Sequence, residues 1–366
     1  MRRFWLRLAA ITAVAVAATA LVATSVGGAA PGGSGKKPVI GFVVHVKGNP
    51  FVQQIIDGAM AAGQDLGVEV RVAGPPEFDA NEQLKDVEDL FAAGASGVAT
   101  SIGGESMVKP LNDLIAQGKP IVSFNLMSKN LNAPYVGERS TNSGRILGGL
   151  VASKLGGPSA TGTAVVGICA PGLAVLENRG RGVKAGVAKA APKLKVVGPF
   201  NVKVAANENY AAWEQLLAKY GGDAKAMIGL CAPDIASLGK LNGSTGGKVV
   251  AGGYDTTAEN LAAIQSGDAF ATLGQTPFVQ GYMPVKMIYD AITKKAKLPK
   301  GFLESGTEIV TAAGATEPWG LGNISFAKLT RLANSKAATR AFYTPLVKGK
   351  LANWQKLLEP IANEGK

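Results

Sequence analysis

Histidine and cysteine are almost missing from this chain of 366 residues: His45 stands alone, and Cys169 and Cys231 are the only cysteines. A zinc site needs Cys, His or acidic ligands at short, set spacings. No Cys/His cluster offers them, so neither a metal nor a cofactor is expected. A Ser/His/Asp set could be assembled only around His45. Hydrolytic and metalloenzyme chemistry thus lose their parts, and the chain reads as a non-enzyme. Aromatic residues make up 6% of the sequence and charged residues 17%, against 47% hydrophobic. Such an aliphatic composition suits an α/β protein with buried parallel strands. The formal charge of +12 includes Arg2, Arg3 and Arg7, and the lysines are scattered, with no run of five or more. Scattered lysines describe a solvated surface, so a nucleic-acid partner is not expected.

An apolar run long enough to span a membrane, about 20 residues, is also lacking. Residues 8–23 are apolar, follow three arginines and lead to the small residues Gly28-Ala29-Ala30. This is the pattern of a cleavable secretory signal over residues 1–30. Arg2-Arg3 has no Ser or Thr ahead of it, which favours ordinary Sec export over the twin-arginine route. No cysteine follows the apolar run, so a lipid anchor lacks its attachment point. The mature protein is expected to be soluble and periplasmic or otherwise extracytoplasmic. Residues 31–37, Pro-Gly-Gly-Ser-Gly-Lys-Lys, have no apolar face to bury and read as a flexible leader.

What the chain does have is a regular alternation of strand and helix signals. Val39–Val44 form a β-branched run, and Gly48-Asn49-Pro50 turns it into a helix with Phe51, Ile55, Ile56 and Ala59 on one face. Strands over 68–72, 97–100 and 121–124 alternate with helices over 81–93 and 107–117. The pattern restarts with helices over 144–154, 179–191 and 210–219 and strands over 164–168, 196–200, 226–230, 249–251 and 269–273. A long helix, 278–292, exceeds what the second half needs and is expected to return to the first. This spacing predicts two doubly wound parallel-sheet lobes. Residues 317–366, with Trp319 and Trp354, read as a helical extension docked on the lobes.

Two glycine patterns carry little. Gly180-Arg181-Gly182-Val183-Lys184-Ala185-Gly186 has its third glycine one residue late for a dinucleotide fingerprint, and no strand immediately precedes it. Gly243–Lys248 ends in Gly-Lys, with Val249 where a phosphate loop needs Ser or Thr. Both read better as turns or tight helix packing. The informative residues collect where strands end or helices begin: Asn49, Phe51, Ser101, Asn125, Arg179, Asp255 and Gln275, with His45 at the end of the first strand, either as a polar group at the cleft or as a packed side chain. Ligands of such sheets bind at the carboxyl ends of the strands. Amide, carboxylate and guanidinium groups serve hydroxyls that both donate and accept, while a ring covers the C–H face of a sugar. Singly, each residue also suits a cap or turn, Asn49 before Pro50 and Asp255 before Thr256-Thr257.

At these residues the sequence resembles the periplasmic sugar-binding proteins of ABC importers, the ribose-like group with the type I fold, over about residues 38–316. Gly48-Asn49-Pro50-Phe51-Val52 with Asp57-Gly58-Ala59, Asn178-Arg179-Gly180-Arg181-Gly182, Gly253-Tyr254-Asp255 and Leu273-Gly274-Gln275-Thr276-Pro277 carry the likeness. It implies ligand contacts for Asn49, Phe51, Arg179, Asp255 and Gln275, a monosaccharide or related polyol as ligand, a membrane permease as partner and a monomeric state. It also implies a first lobe of 38–138 with 276–305, a second of 139–275 with 306–316, and a three-segment hinge. The chain departs from the family pattern at Phe124-Asn125-Leu126, where Leu-Asp-Arg is usual. Val52 replaces a second stacking Phe, and Pro233-Asp234 keeps only the acid of an Asn-Asp pair. The expected ligand is therefore not ribose itself but a neutral sugar with an apolar edge. A sensing module that shows its closed form to a kinase or chemoreceptor is the alternative function. Cys169 follows the strand 164–168 and Cys231 the strand 226–230. These are neighbours in a 2-1-3-4-5 order, about 4.8 Å apart, and a disulfide between them is predicted.

Overall fold

The computed structural model describes residues 37–247, 249–316, 319–320 and 322–365. The expected export signal and residues 31–36 of the leader lie outside the described residues. The first segment runs β1 (Val39–Val43), α1 (Pro50–Leu66), β2 (Glu69–Ala73), α2 (Ala80–Ala92), β3 (Gly97–Thr100), α3 (Val108–Ala116), β4 (Ile121–Phe124) and β5 (Pro134–Gly137). The chain then crosses to α4 (Ser140–Lys154), β6 (Thr163–Ile168), α5 (Ala174–Ala190), β7 (Lys195–Asn201), α6 (Ala206–Tyr220), β8 (Ala224–Gly229), α7 (Asp234–Thr245), β9 (Val250–Tyr254), α8 (Ala258–Ser266) and β10 (Ala271–Gly274). It returns in α9 (Pro277–Lys294) and β11 (Gly301–Glu304), crosses again into β12 (Glu308–Thr311) and β13 (Gly314–Thr316), and ends in α10 (Phe326–Asn334) and α11 (Lys336–Lys348).

One sheet has six strands in the order β11-β5-β4-β3-β1-β2, all parallel. The other has seven, β13-β12-β10-β9-β8-β6-β7, parallel except where β12 joins β10 and β13. Each contains the doubly wound 2-1-3-4-5 order that the strand and helix alternation predicts. Helix α9 packs on α1 and on the first sheet, which is why its apolar length exceeded the needs of the second. Four strand signals went unread: β5 has four residues and starts on a proline, β11 and β12 are equally short, and β13 has three. Helix α5 begins at Ala174, five residues before the predicted start, so Arg179 lies inside the helix instead of opening it.

Local chemistry sets the elements. Asn49 Oδ1 accepts from the amides of Phe51 (2.9 Å) and Val52 (3.3 Å), and Pro50 occupies the first turn of α1. Gly67, with φ of 69°, ends the helix in the left-handed region. The glycines of the false fingerprint allow close helix packing. A Cβ on Gly182 or Gly186 would run into the backbone of α4 at Thr141 or Arg145. Gly246 closes α7 with φ of 77°, so the described part of that segment, residues 243–247, is a helix end.

The C-terminal segment is held by several elements. Helix α10 packs on α8 and β13, and α11 on α9 and α1. Arg340 pairs with Asp65 at 2.5 Å, and Lys336 with Asp57 at 2.8 Å. Trp354 is fully buried among first-sheet residues and its indole donates to Asp290 Oδ2 at 2.9 Å. Trp319 is half-buried and donates to the carbonyl of Ser305 at 3.1 Å. Beyond Trp354 the chain pairs with β11 through Phe302 and Glu359. Glu359 and Glu304 then hold Arg139 at the β5–α4 crossing.

Cys169 and Cys231 are joined, with Cα atoms 6.1 Å apart. Their strands β6 and β8 are hydrogen-bonded neighbours, so the bond ties adjacent strand ends across a separation of 62 residues. Replacing both cysteines with serine should cost about 4 kcal/mol of unfolding free energy, as the chain entropy of a loop of this size implies. Urea titration would read this, and two titratable thiols in the unfolded, unreduced protein would show that the bond does not form.

Candidate ligand-binding cleft

The carboxyl ends of β1 and β4 in one sheet and of β6, β8, β9 and β10 in the other meet at a cavity. It holds about 570 Å³ of unfilled space, part of it open to solvent. His45, Asn49, Phe51, Asn125, Arg179, Asp255 and Gln275 all line it. Ser101 does not. It lies one layer behind, fully buried, beside His45 Nδ1 at 3.3 Å and accepting from Gln83 Nε2 at 3.0 Å. His45 also meets the ring of Phe78 at 5.3 Å between centroids.

Two networks fix the polar side chains. In the first, Gln275 Nε2 donates to Asp255 Oδ1 at 2.7 Å, and Asn125 Nδ2 donates to Gln275 Oε1 at 3.3 Å and to Gln280 Oε1 at 3.0 Å. Gln280 in turn donates to the carbonyl of Gln275 at 2.7 Å. The end of β4 is thereby tied to the ends of β9 and β10. In the second, Arg179 Nε pairs with Glu138, Nη1 donates to the carbonyl of Leu230 at 2.7 Å, and the guanidinium lies 3.9 Å from the centre of the Tyr254 ring. The Tyr254 hydroxyl is 2.9 Å from Ser143 Oγ.

Five non-glycine residues among those described have positive φ; two of them, Asn125 and Asp255, line the cleft, and a third, Thr276, follows the lining residue Gln275. Such conformations cost energy and persist where the surroundings over-determine them. The rest of the wall is apolar: Leu126, Leu173, Val175, Leu176 and Val204, with Phe51 and Phe78 supplying rings. Phe78 thus offers a second aromatic face where Val52, fully packed in the core, offers none.

Three residues escaped the sequence reading. Glu138 directly follows β5, so the strand-end rule would have found it had β5 been recognised. Phe78 lies in the loop before α2, and Gln280 is a polar residue in the buried first turns of α9. Asp234, the acid that matched the family pattern, does not reach the cleft. It is fully buried and accepts from Asn209 (2.7 Å), Trp213 (2.9 Å) and the amide of Cys231 (2.8 Å).

Burial pushes the Asp255 carboxyl up to about 7 against the pull of Arg179 and Gln275, and Asp234 to about 6 against its hydrogen bonds. Glu364, buried beside Ser140 and Asn178, is likewise raised to about 7. These groups keep protons in the folded protein at pH values where the unfolded chain has lost them, so stability falls as pH rises from about 4 to 7. His45, lowered by burial to about 4, acts in the opposite sense between about 4 and 6.5. One histidine against three carboxyls leaves the sign unchanged. Below about 4 the sign reverses, because ion pairs hold Asp65 and Asp290 under their ordinary values despite burial. The ligand-free protein is therefore expected to melt at a higher temperature at pH 5.5 than at pH 8, and Asp255→Asn should flatten the profile. A melting temperature that climbs over that interval would contradict the assignment.

Residues 40–296 match the family model described as a periplasmic binding protein domain. The chain belongs to the periplasmic binding protein family. Members of this family bind ligands and are not enzymes. Among its relatives is the xylose/arabinose-binding protein of Sulfolobus acidocaldarius, 25% identical over 74% of this chain and 70% of that protein. Another is the ribose import binding protein of Haemophilus influenzae, 27% identical over 71% of this chain and 88% of that one. A solute-binding protein of an ABC transporter from Burkholderia graminis, solved with D-arabinose, superposes with a TM-score of 0.70 at 21% identity, covering 75% of this chain and 96% of its own. At that identity the likeness is one of fold. The two sheets of this chain are the two lobes of the type I periplasmic binding protein fold. Among the described residues no helix is long and apolar enough to cross a membrane.

Proposed function

We propose that this protein captures a neutral monosaccharide in the cleft between its two sheets and presents the loaded form to an ABC permease. The observation that carries the reading is the convergence of Asn49, Asn125, Arg179, Asp255 and Gln275 with the rings of Phe51 and Phe78 on one cavity. Amides, a carboxylate and a guanidinium meet ring hydroxyls, and an aromatic face meets the C–H side of a sugar. The names of the relatives, which bind xylose, arabinose and ribose, support the same class. Residues 38–138 with 276–305 would form one lobe and 139–275 with 306–316 the other, closing about the crossings near residues 138, 275 and 305. A binding protein scavenging at micromolar concentrations needs about −8 kcal/mol of binding free energy, within reach of such a set.

The preferred sugar has a deoxy or methyl-bearing edge. Leu126, 6% exposed, lines the cavity while packing with Val175 and Met127, so a hydroxyl placed against it would go unpaired at about 1–3 kcal/mol. Leu126→Arg is expected to shift preference toward more hydroxylated sugars by about tenfold or more. A thermal-shift screen over pentoses, hexoses, deoxy sugars, nucleosides and amino acids tests the class. A ligand at 100 times its Kd adds about 2.7 kcal/mol to stability. A response to amino acids alone would overturn it.

A further inference from the structure

We propose that Glu138 restricts this cleft to uncharged ligands: from the crossing after β5, its carboxylate orients the Arg179 guanidinium and cancels its charge. The inference rests on the monosaccharide reading above and adds to it which sugars are refused. Glu138 and Arg179 are 1% and 3% exposed, and they form an ion pair between the β5–α4 crossing and the interior of α5. Arg179 lines the cavity, whereas Glu138 is not part of its wall. The acid therefore acts through the arginine and is a positioning residue. Its Oε1 takes Nε, the carbonyl of Leu230 takes one proton of Nη1, and the ring of Tyr254 holds the guanidinium plane. The other Nη protons remain for a ligand.

An arginine aimed into a cleft without a partner is the usual anchor for a carboxylate or phosphate, because its planar donors match those groups two at a time. Here the charge is already neutralised. Among the described residues the ion pair of Arg179 goes to Glu138 alone. The other carboxylate of the cleft, Asp255, is taken up by Gln275 at 2.7 Å. An entering sugar acid would meet Glu138 behind the guanidinium, so its charge would gain little from Arg179. A neutral sugar loses nothing by this arrangement, since hydroxyls accept from an ion-paired guanidinium as well. Rejection of the wrong ligand by a placed like charge is a common source of specificity.

Glu138→Gln keeps an oxygen for Nε and the volume of the side chain while removing the charge. Wild type and variant should be titrated by calorimetry with two matched pairs, L-arabinose against D-galacturonate and D-xylose against D-glucuronate. Each pair shares its ring stereochemistry and differs by a carboxylate. The variant is expected to move the ratio of acid to neutral affinity by about tenfold or more toward the acid. A purely structural role would weaken both members of a pair alike. A folded variant with an unchanged ratio, or a wild type that binds a sugar acid as tightly as its neutral partner, overturns the proposal. If Glu138→Gln does not fold, Glu138→Asp carries the test: it retains the charge but retracts it, so continued refusal of acids with weakened neutral binding supports the proposal and unchanged neutral binding overturns it. A wild type that binds no monosaccharide at all while the variant gains a sugar acid would defeat the capture reading and leave the charge-cancelling role standing.

Discussion

Replacing Arg179 with alanine is expected to abolish useful ligand binding and to destabilise the fold in the same step. The guanidinium faces the cavity from inside α5. Charged hydrogen bonds to a ligand are worth about 1.5–3 kcal/mol each, and two of them together raise Kd about a hundredfold or more. The stability effect has a separate origin. Truncation leaves the Glu138 carboxylate buried without its partner, and the second oxygen of that carboxylate has no hydrogen bond among the described residues to fall back on. Breaking a buried pair from one side costs about 3–5 kcal/mol. Arg179→Lys keeps the charge but loses the planar fork and the stacking on Tyr254, so it should recover part of the stability and little of the binding. Calorimetry and urea unfolding on the same preparations separate the two effects. Ligand affinity untouched by the alanine variant would show that Arg179 is a structural residue only.

Trp354→Ala should be the most damaging change in the C-terminal segment, at about 3–5 kcal/mol. The indole is fully buried in the cluster that includes Phe278, Met283 and Met287 of α9 and Leu346 and Val347 of α11. Its N–H is also one of the groups that hold the Asp290 carboxyl below its ordinary range against burial. Truncation therefore opens a cavity and removes a hydrogen bond from a buried acid. Trp354→Phe retains most of the volume and should cost about 1–2 kcal/mol for the lost donor. The corresponding change at half-buried Trp319 should cost less than Trp354→Ala. Denaturant unfolding measures all three. Limited proteolysis supplies an independent check, since a segment built into the core resists cleavage until the whole domain opens. Rapid release of residues beyond 316 with no loss of melting temperature would refute this.

Much of the architecture was legible because it is written in short-range patterns. Apolar runs of four to six residues bounded by glycine, alternating with helical periodicity, identify parallel strands wherever they are long enough. The failures mark the limit of that signal: β5, β11, β12 and β13 have only three or four residues, a length at which β3 and β4 were read but at which no window is decisive. The start of α5 was misplaced for a related reason. Leu173 offers no capping side chain, so the first turn has no boundary that a sequence displays.

The sequence by itself determined the two-sheet organisation and the adjacency of the cysteine-bearing strands, and it pointed to seven of the residues that line the cleft. In a parallel sheet every strand delivers its following residues to the same edge, so strand ends alone brought Asp255 and Gln275 to one edge of the second sheet and Asn125 to the corresponding edge of the first. Tertiary structure decided what those residues do. It paired Arg179 with Glu138 across 41 positions, set Gln280 against Asn125 across 155 and buried Trp354 against Asp290 across 64. It also placed Ser101 behind His45 and left Asp234 in the core. Periodicity reports which face of an element is buried. Which charge meets which depends on how elements remote in sequence pack, and that is fixed only when the two sheets and the C-terminal segment come together.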